Sequence, residues 1–225
     1  YRFDLLTIFP NIFDSYFNES ILKRAQKSKI IKINTHNLRD YTIDKHKTVD
    51  DRPYGGGPGM VMKVEPIYKC LKAIKKKSAK VGSAPGGKSK VILLSAKGKT
   101  FNQARAKHYA TLDQLVLISG HYEGVDERVL KYVDEEISIG NYVLTGGELP
   151  AMIITDAVTR LLPGALGDAD SVKDESFSKN LQYLEYPQYT RPENFKGQKV
   201  PKILLSGDHQ KIADWRTKHR RSKKT

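Results

Sequence analysis

Uniformly apolar stretches alternate with amphipathic ones along this chain. Phe3-Asp-Leu-Leu-Thr-Ile-Phe9 is apolar at most positions and closed by Pro10, which predicts a first buried strand. Residues 11–25 place Ile12, Phe13, Tyr16, Ile21 and Leu22 at helical spacing. Residues 30–36 alternate and predict a second strand. Strand, helix, strand in that order opens a parallel α/β sheet. Residues 67–74 form an amphipathic helical pattern. Residues 91–95 and 115–119 are apolar up to a closing serine, the pattern of strands buried on both faces, and residues 137–139 form a third such run. Residues 151–162 put Ile153, Ala157 and Leu161 on one stripe with Ile154 and Val158 beside it. Pro150 suits the start of that helix and Pro163-Gly164 its end.

The three apolar strands each run into a loop of small residues. These are Ser95 to Gly98, Gly120 to Gly124, and Gly140 to Gly147. Ligands of open parallel sheets bind at the carboxyl ends of strands, so three such loops on one edge predict a pocket. Three glycines within eight residues, at Gly140, Gly146 and Gly147, suit backbone that passes close to a flat ligand. The alternative is a set of tight turns with no ligand. Glu123 faces a cationic ligand on one reading. On another, it caps a helix beginning near Val125, in a segment that also carries Asp126, Glu127 and Arg128.

Residues 39–62 mix basic side chains with Asp50-Asp51 and glycines at 55, 56, 57 and 59. The loop is longer than a hairpin needs and reads either as an approach to RNA or a nucleobase or as a flexible surface loop. Its spacing lacks the G-x-G-x-x-G of dinucleotide sites. Gly82-Ser-Ala-Pro-Gly-Gly-Lys-Ser89 matches a phosphate-binding G-x-x-x-x-G-K-S. That motif needs a strand entering and a helix leaving, and here a lysine-rich helix enters and a strand leaves. A nucleoside triphosphatase is therefore disfavoured.

After Gly164 the texture changes. Residues 165–178 are polar, small and acidic, and read as a mobile linker or lid. Tyr183, Tyr186 and Tyr189 lead to Tyr189-Thr-Arg-Pro192, an aromatic and basic extended segment. Residues 200–205 are a short apolar run, and Asp208 is a plausible N-cap for a helix over 208–216. The basic run at 218–224 either contacts phosphates or is simply solvated. The expected organisation is a domain over 1–164, a linker over 165–178 and a small, mainly helical domain over 179–225.

Composition narrows the partner. The 225 residues suffice for a sizeable core. Lys and Arg number 39 against 25 Asp and Glu, a net charge of +14 that points to a polyanion, nucleic acid first. No apolar run approaches the roughly 20 residues that span a bilayer, and no signal peptide is read at Tyr1-Arg-Phe-Asp4. The single cysteine, Cys70, excludes an internal disulfide framework and reads as a buried thiol. The expectation is a soluble, cytoplasmic protein.

Four segments carry a resemblance. They are Val49-Asp-Asp-Arg-Pro-Tyr-Gly-Gly-Gly-Pro-Gly-Met60, Gly120-His-Tyr-Glu-Gly-Val-Asp-Glu-Arg128, Ser138-Ile-Gly-Asn-Tyr-Val-Leu-Thr-Gly-Gly-Glu-Leu-Pro-Ala151 and Tyr189-Thr-Arg-Pro192. In this order, over nearly the whole chain, they resemble the TrmD family of bacterial tRNA (guanine-N1)-methyltransferases, of the SPOUT class. The resemblance implies a trefoil knot in the C-terminal half of the sheet and a homodimer with its active site at the subunit interface. It implies S-adenosylmethionine as cofactor, tRNA as partner, and methylation of N1 of guanosine 37, just 3′ of the anticodon. It also suggests Mg²⁺, for which the sequence offers no ligand cluster. By motif match the cofactor residues are Leu94, Ser95, Gly120, Glu123, Ile139, Gly140, Asn141, Tyr142, Val143, Leu144, Gly146 and Gly147. The general base falls at Glu175, where the family has an aspartate before Ser-Phe, with Asp174 a rival. Arg160 is the match for a group that stabilises charge on guanine O6. Ala96 and His121 depart from the family's usual Pro and Arg. The linker is expected to order only when tRNA and cofactor are both present. The Glu175 departure keeps open a second reading, an RNA-binding module of the same shape without catalysis.

Overall fold

The computed structural model describes residues 1–80, 87–167 and 173–222. The chain divides into two compact units, Tyr1–Gly167 and Asp168–Thr225. In the first, β1 (Arg2–Thr7) is followed by a 3-10 turn (Pro10–Phe13), α1 (Asp14–Phe17), α2 (Ser20–Lys27) and β2 (Lys32–Asn37). The single helix expected over 11–25 is thus interrupted. Asn18 ends α1, and Glu19 is extended at φ −122°, ψ 157° before α2 begins. Asparagine competes for backbone hydrogen bonds and favours helix ends over interiors. Next come a 3-10 turn (Leu38–Tyr41), the short antiparallel pair β3 (Asp50–Asp51) and β4 (Val61–Met62), and α3 (Val64–Lys80).

The remainder of the unit is β5 (Ser89–Thr100), α4 (Gln103–Tyr109), β6 (Gln114–Ser119), a 3-10 turn (Glu127–Tyr132), β7 (Glu135–Ser138) and α5 (Glu148–Thr159). Most of the phosphate-loop-like segment lies in 81–86, outside the described residues. Its flanks are α3 before and β5 after, the order that a phosphate-binding loop reverses.

Five strands form one sheet in the order β2-β1-β6-β5-β7, and every neighbouring pair is parallel. Alternation along the strands divides two cores. Phe3, Leu5, Ile92, Leu94, Leu115 and Leu117 pack with side chains of α2, α4 and α5. Leu6, Ile8, Val91, Leu93, Val116 and Ile118 pack with Ile67, Cys70, Leu71 and Ile74 of α3. Both faces are covered, which is why the strands read as continuous apolar runs. Full burial of one such side chain contributes about 1.5–3 kcal/mol, so truncating Leu117, fully buried between β1 and β5, would cost about 2–5 kcal/mol.

The loop expected at Ser95 to Gly98 does not end its strand. Leu94 pairs with Ile137, and Lys99 pairs with the same residue, so residues 95–98 leave the ladder as a bulge and β5 resumes to Thr100. Gly98 lets the chain rejoin, because a Cβ there would meet the carbonyl carbon of Glu136 at 2.5 Å.

In the second unit, β8 (Tyr183–Leu184) pairs with β11 (Arg221–Ser222), and β9 (Asn194–Phe195) with β10 (Gln198–Lys199). Lys196 and Gly197 turn the latter hairpin at φ 51° and 86°, as a two-residue primed turn requires. A 3-10 turn (Lys202–Leu205) precedes α6 (His209–Lys218). Asp208 caps α6 by accepting from the Lys211 amide at 3.1 Å. Residues 168–172 of the expected linker and 223–225 of the basic tail lie outside the described residues. Among the described residues every fully buried hydrophobic side chain belongs to the first unit.

Candidate active site

The carboxyl ends of β6 and β7 flank the start of the β5 bulge, with Leu94 opposite Ser119 on one side and Ile137 on the other. The bulge and the loops after β6 and β7 enclose a cleft of about 240 Å³. Leu94 and Ser95 line it from β5, and Gly120 and Glu123 from the loop after β6. Ile139, Tyr142, Val143, Leu144, Gly146 and Gly147 line it from the loop after β7. Gly140 and Asn141 do not line it. They form the turn behind, where the Ser138 hydroxyl donates to the Gly140 carbonyl at 2.9 Å and accepts from its amide at 3.2 Å. Ala96 and His121, the two departures from the family pattern, both line the cleft.

Two of the loops are stitched together by main chain. The Gly147 amide donates to the Gly120 carbonyl at 2.8 Å, and His121 and Gly146 form an antiparallel bridge. A Cβ on Gly147 would meet Ser119 Cα at 2.7 Å, so only glycine fits this approach. The glycine-rich segment reaches the same rim. Glu123 N donates to Met60 O at 3.1 Å, Met62 N to Gly124 O at 2.9 Å, and Asp126 N to Met62 O at 2.9 Å. The Glu123 side chain stands over Gly59, where a Cβ would meet its carboxyl carbon at 2.9 Å.

The capping role in this loop belongs to Asp126. Its carboxylate accepts from the Arg128 amide at 2.9 Å and from the Arg128 guanidinium at 2.6 Å, opening the 3-10 turn. The Arg128 hydrogen bond holds the Asp126 carboxyl below the usual carboxylate range. Glu123 is exposed at the cleft.

A supporting residue went unread in the sequence. Glu148, at the start of α5, is only 3% exposed. It accepts from the Thr7 hydroxyl at 2.7 Å and lies 3.8 Å from His121 Nδ1. It therefore ties the end of β1 to two of the cleft loops. His121 in turn sits edge-on to Phe9 and Tyr122, each at 5.0 Å between centroids. The available signal was a carboxylate directly after Gly146-Gly147. At a helix start, though, a glutamate ordinarily reads as a solvated first-turn charge. Tyr122, Thr145 and Pro150 also line the cleft, and all three fall inside the motif segments.

Arg160 is not at this cleft. It is the C-cap of α5, a helix whose first residue, Glu148, packs at the cleft loops. Twelve helical residues separate the two ends by about 18 Å. Glu175 lies in the second unit, where its carbonyl accepts from the Ser178 amide at 3.1 Å. Asp174 is heavily engaged. Lys179 Nζ is 3.3 Å from its carboxylate, the Arg220 guanidinium 3.2 Å, and the Tyr183 hydroxyl donates at 3.3 Å. Lys179 first, then Arg220 and Tyr183, hold the Asp174 carboxyl below the usual range. That makes it a weak proton acceptor at neutral pH.

Among the described residues no group of three or more His, Cys, Asp or Glu is placed to hold a metal ion, and no helix is long and apolar enough to cross a membrane.

The fold and cleft define the class: a parallel α/β protein with a cleft formed by segments that leave neighbouring strands of its sheet. The profile of the family described as tRNA (Guanine-1)-methyltransferase TrmD matches residues 1–225. The chain is 55% identical over 217 residues to the tRNA (guanine-N(1)-)-methyltransferase of Dictyoglomus turgidum, covering 96% of this chain and 84% of that one. It is 55% identical over 218 residues to that of Carboxydothermus hydrogenoformans, covering 96% and 81%. It is 52% identical over 216 residues to that of Geotalea uraniireducens, covering 96% and 83%. The chain belongs to the TrmD family of tRNA (guanine-1)-methyltransferases.

Proposed function

We propose that the protein transfers a methyl group from S-adenosylmethionine to N1 of guanosine 37 in tRNA. The observation that carries this reading is the convergence of the loops after β6 and β7 and the bulge of β5 on one cleft. Main-chain groups of the lining residues Ile139, Tyr142, Val143, Leu144 and Gly146 suit the hydrogen-bonding edge of an adenine, and the exposed Glu123 carboxylate suits a sulfonium-bearing cation nearby. When bound there, S-adenosylmethionine supplies an electrophilic methyl group whose transfer leaves a neutral thioether.

The acceptor needs help from the protein. Guanine N1 carries a proton and is a poor nucleophile until it is removed. Glu175 takes that proton. Negative charge then gathers on O6, where the Arg160 guanidinium stabilises it. Arg160 lies far from its own chain's cleft, so it serves the cleft of a second copy. A homodimer is also supported by exposed apolar residues on neighbouring elements. Leu149 and Ile153 of α5 are 51% and 45% exposed, Phe9, Ile12 and Tyr16 are exposed in and beside the 3-10 turn that contacts α5, and Tyr16 hydrogen-bonds Asp156 of that helix. The trefoil knot belongs to the same reading, with the chain after β7 passing under the Ser95 to Gly98 bulge. The first unit is the cofactor domain, the second the tRNA-binding domain, and the working compartment the cytoplasm.

The test is S-adenosylmethionine-dependent methylation of unmodified tRNA transcripts carrying G or A at position 37, with the product mapped by mass spectrometry. N1-methylguanosine at 37 in the first transcript alone is the expected product. Cofactor binding with no transfer would leave an RNA-binding module instead. Repeating the assay with EDTA reads the Mg²⁺ dependence.

A further inference from the structure

The second unit holds a cleft of its own, about 400 Å³, separate from the one already described. Its position follows from sequence spacing. On α6, Ile212, Trp215 and Arg216 fall at helical neighbours i, i+3 and i+4, and all three line the cleft. Opposite them runs the extended segment 186–191. Tyr189 meets Trp215 edge-on at 6.2 Å and 63°. Trp215 is backed by the His219 ring, stacked at 4.1 Å and 20°. The Arg216 guanidinium lies 5.0 Å above the Tyr186 ring. Tyr189 keeps 49% of its surface exposed.

The chemistry of the lining is mixed in a specific way. It offers aromatic faces, two guanidinium groups at Arg191 and Arg216, and one carboxylate at Glu193. A bare phosphate would gain nothing from the aromatic faces and would be repelled by Glu193. An acidic peptide would meet the same carboxylate. A nucleobase uses all three features: a π face to stack, ring N–H or amino donors for a carboxylate, and a flanking phosphate for an arginine. The surrounding charge agrees, with 13 Lys and Arg against 8 Asp and Glu over residues 168–225.

We propose that this cleft takes the base of one unpaired nucleotide of the tRNA, stacked on Tyr189 beside Trp215, with Arg191 or Arg216 on its phosphate. The inference rests on RNA being the substrate and specifies where, besides the reacting guanine, a base is held.

Trp215 is the single tryptophan of the chain, so its emission reports on this cleft alone. The full-length protein is titrated with unmodified tRNA, with a single-stranded hexaribonucleotide, and with an abasic oligonucleotide carrying the same number of phosphates. Quenching by tRNA and hexamer but not by the abasic oligonucleotide is expected. Tyr189→Ala should weaken hexamer binding roughly five- to 150-fold, the loss of one base–aromatic stack. Tyr189→Phe should restore it, and affinity for S-adenosylmethionine should stay unchanged in both. Equal binding of the abasic oligonucleotide, or unaltered hexamer affinity in Tyr189→Ala, overturns the proposal. So does quenching by an acidic peptide and not by RNA. If methylation is absent while the hexamer still quenches Trp215, the catalytic reading fails and the base site stands. If methylation proceeds with Trp215 emission unmoved by tRNA, the base site fails alone.

Discussion

The amide of Gly147 donates to the carbonyl of Gly120 across 2.8 Å, joining the loop after β7 to the loop after β6. This bond sets the width of the cleft mouth, and the missing side chain at 147 is what permits it. Gly147→Ala should therefore destabilise the fold by about 1–3 kcal/mol. It should also weaken S-adenosylmethionine binding about tenfold or more. Gly167→Ala, where a Cβ meets nothing within 4 Å, should change neither. Thermal melts and titration calorimetry on the two variants make the comparison, and equal behaviour would refute the account.

The two neighbouring carboxylates of the second unit should part company. Asp174 is held by Lys179, Arg220 and Tyr183, which keep its carboxyl below the usual range. Glu175→Gln should lower single-turnover methyl transfer about 100-fold or more, the usual contribution of a general base. Asp174→Asn should act through local stability and leave the transfer step within about tenfold. The reverse ranking would move the base to Asp174.

Arg160 should act across the dimer. Arg160→Ala and a cleft-filling Ala96→Trp should each be inactive alone. Mixed and re-equilibrated, half the dimers are hybrids with one intact site of two, so about a quarter of wild-type activity should return. No recovery on mixing would place both groups in one chain's site.

Acid stability should depend on Asp4. Burial alone would raise its pKa, but hydrogen bonds from His36, Arg2 and Gln114 outweigh that and leave it lowered. A carboxyl with a depressed folded pKa contributes stability above its unfolded value, about 3.9, and loses it as pH falls towards the folded value. Asp4→Asn should thus cost about 1–3 kcal/mol at pH 7. The difference from wild type should shrink below about pH 4 in urea melts. A gap that is constant with pH would show that the ionised form is not what matters.

The strands were legible because both sheet faces are covered, which turns Leu115 to Ile118 into an unbroken apolar run. The cleft was legible because it is built at strand ends, where small residues cluster. Other features depend on partners distant in sequence. That Lys99 returns to pair with Ile137 is a long-range event, so the bulge at 95–98 read as a loop end. Glu148 went unread because its partner, Thr7, lies 141 residues away. The distance of Arg160 from the cleft follows from helix length and from which end of α5 faces the strand ends, neither of which a motif match encodes. The engagement of Asp174 depends on Lys179, Tyr183 and Arg220, the last of them 46 residues away and next to the β8–β11 pairing.

The close approach at Gly147 has a consequence for inhibition. A compound that competes for the cleft by leaning on this part of the wall could not be escaped there by substitution, because any side chain at 147 collides with Ser119 and damages the fold along with drug binding. Resistance arising in the cleft should therefore fall first on replaceable side chains of its lining, Ala96 and His121 among them.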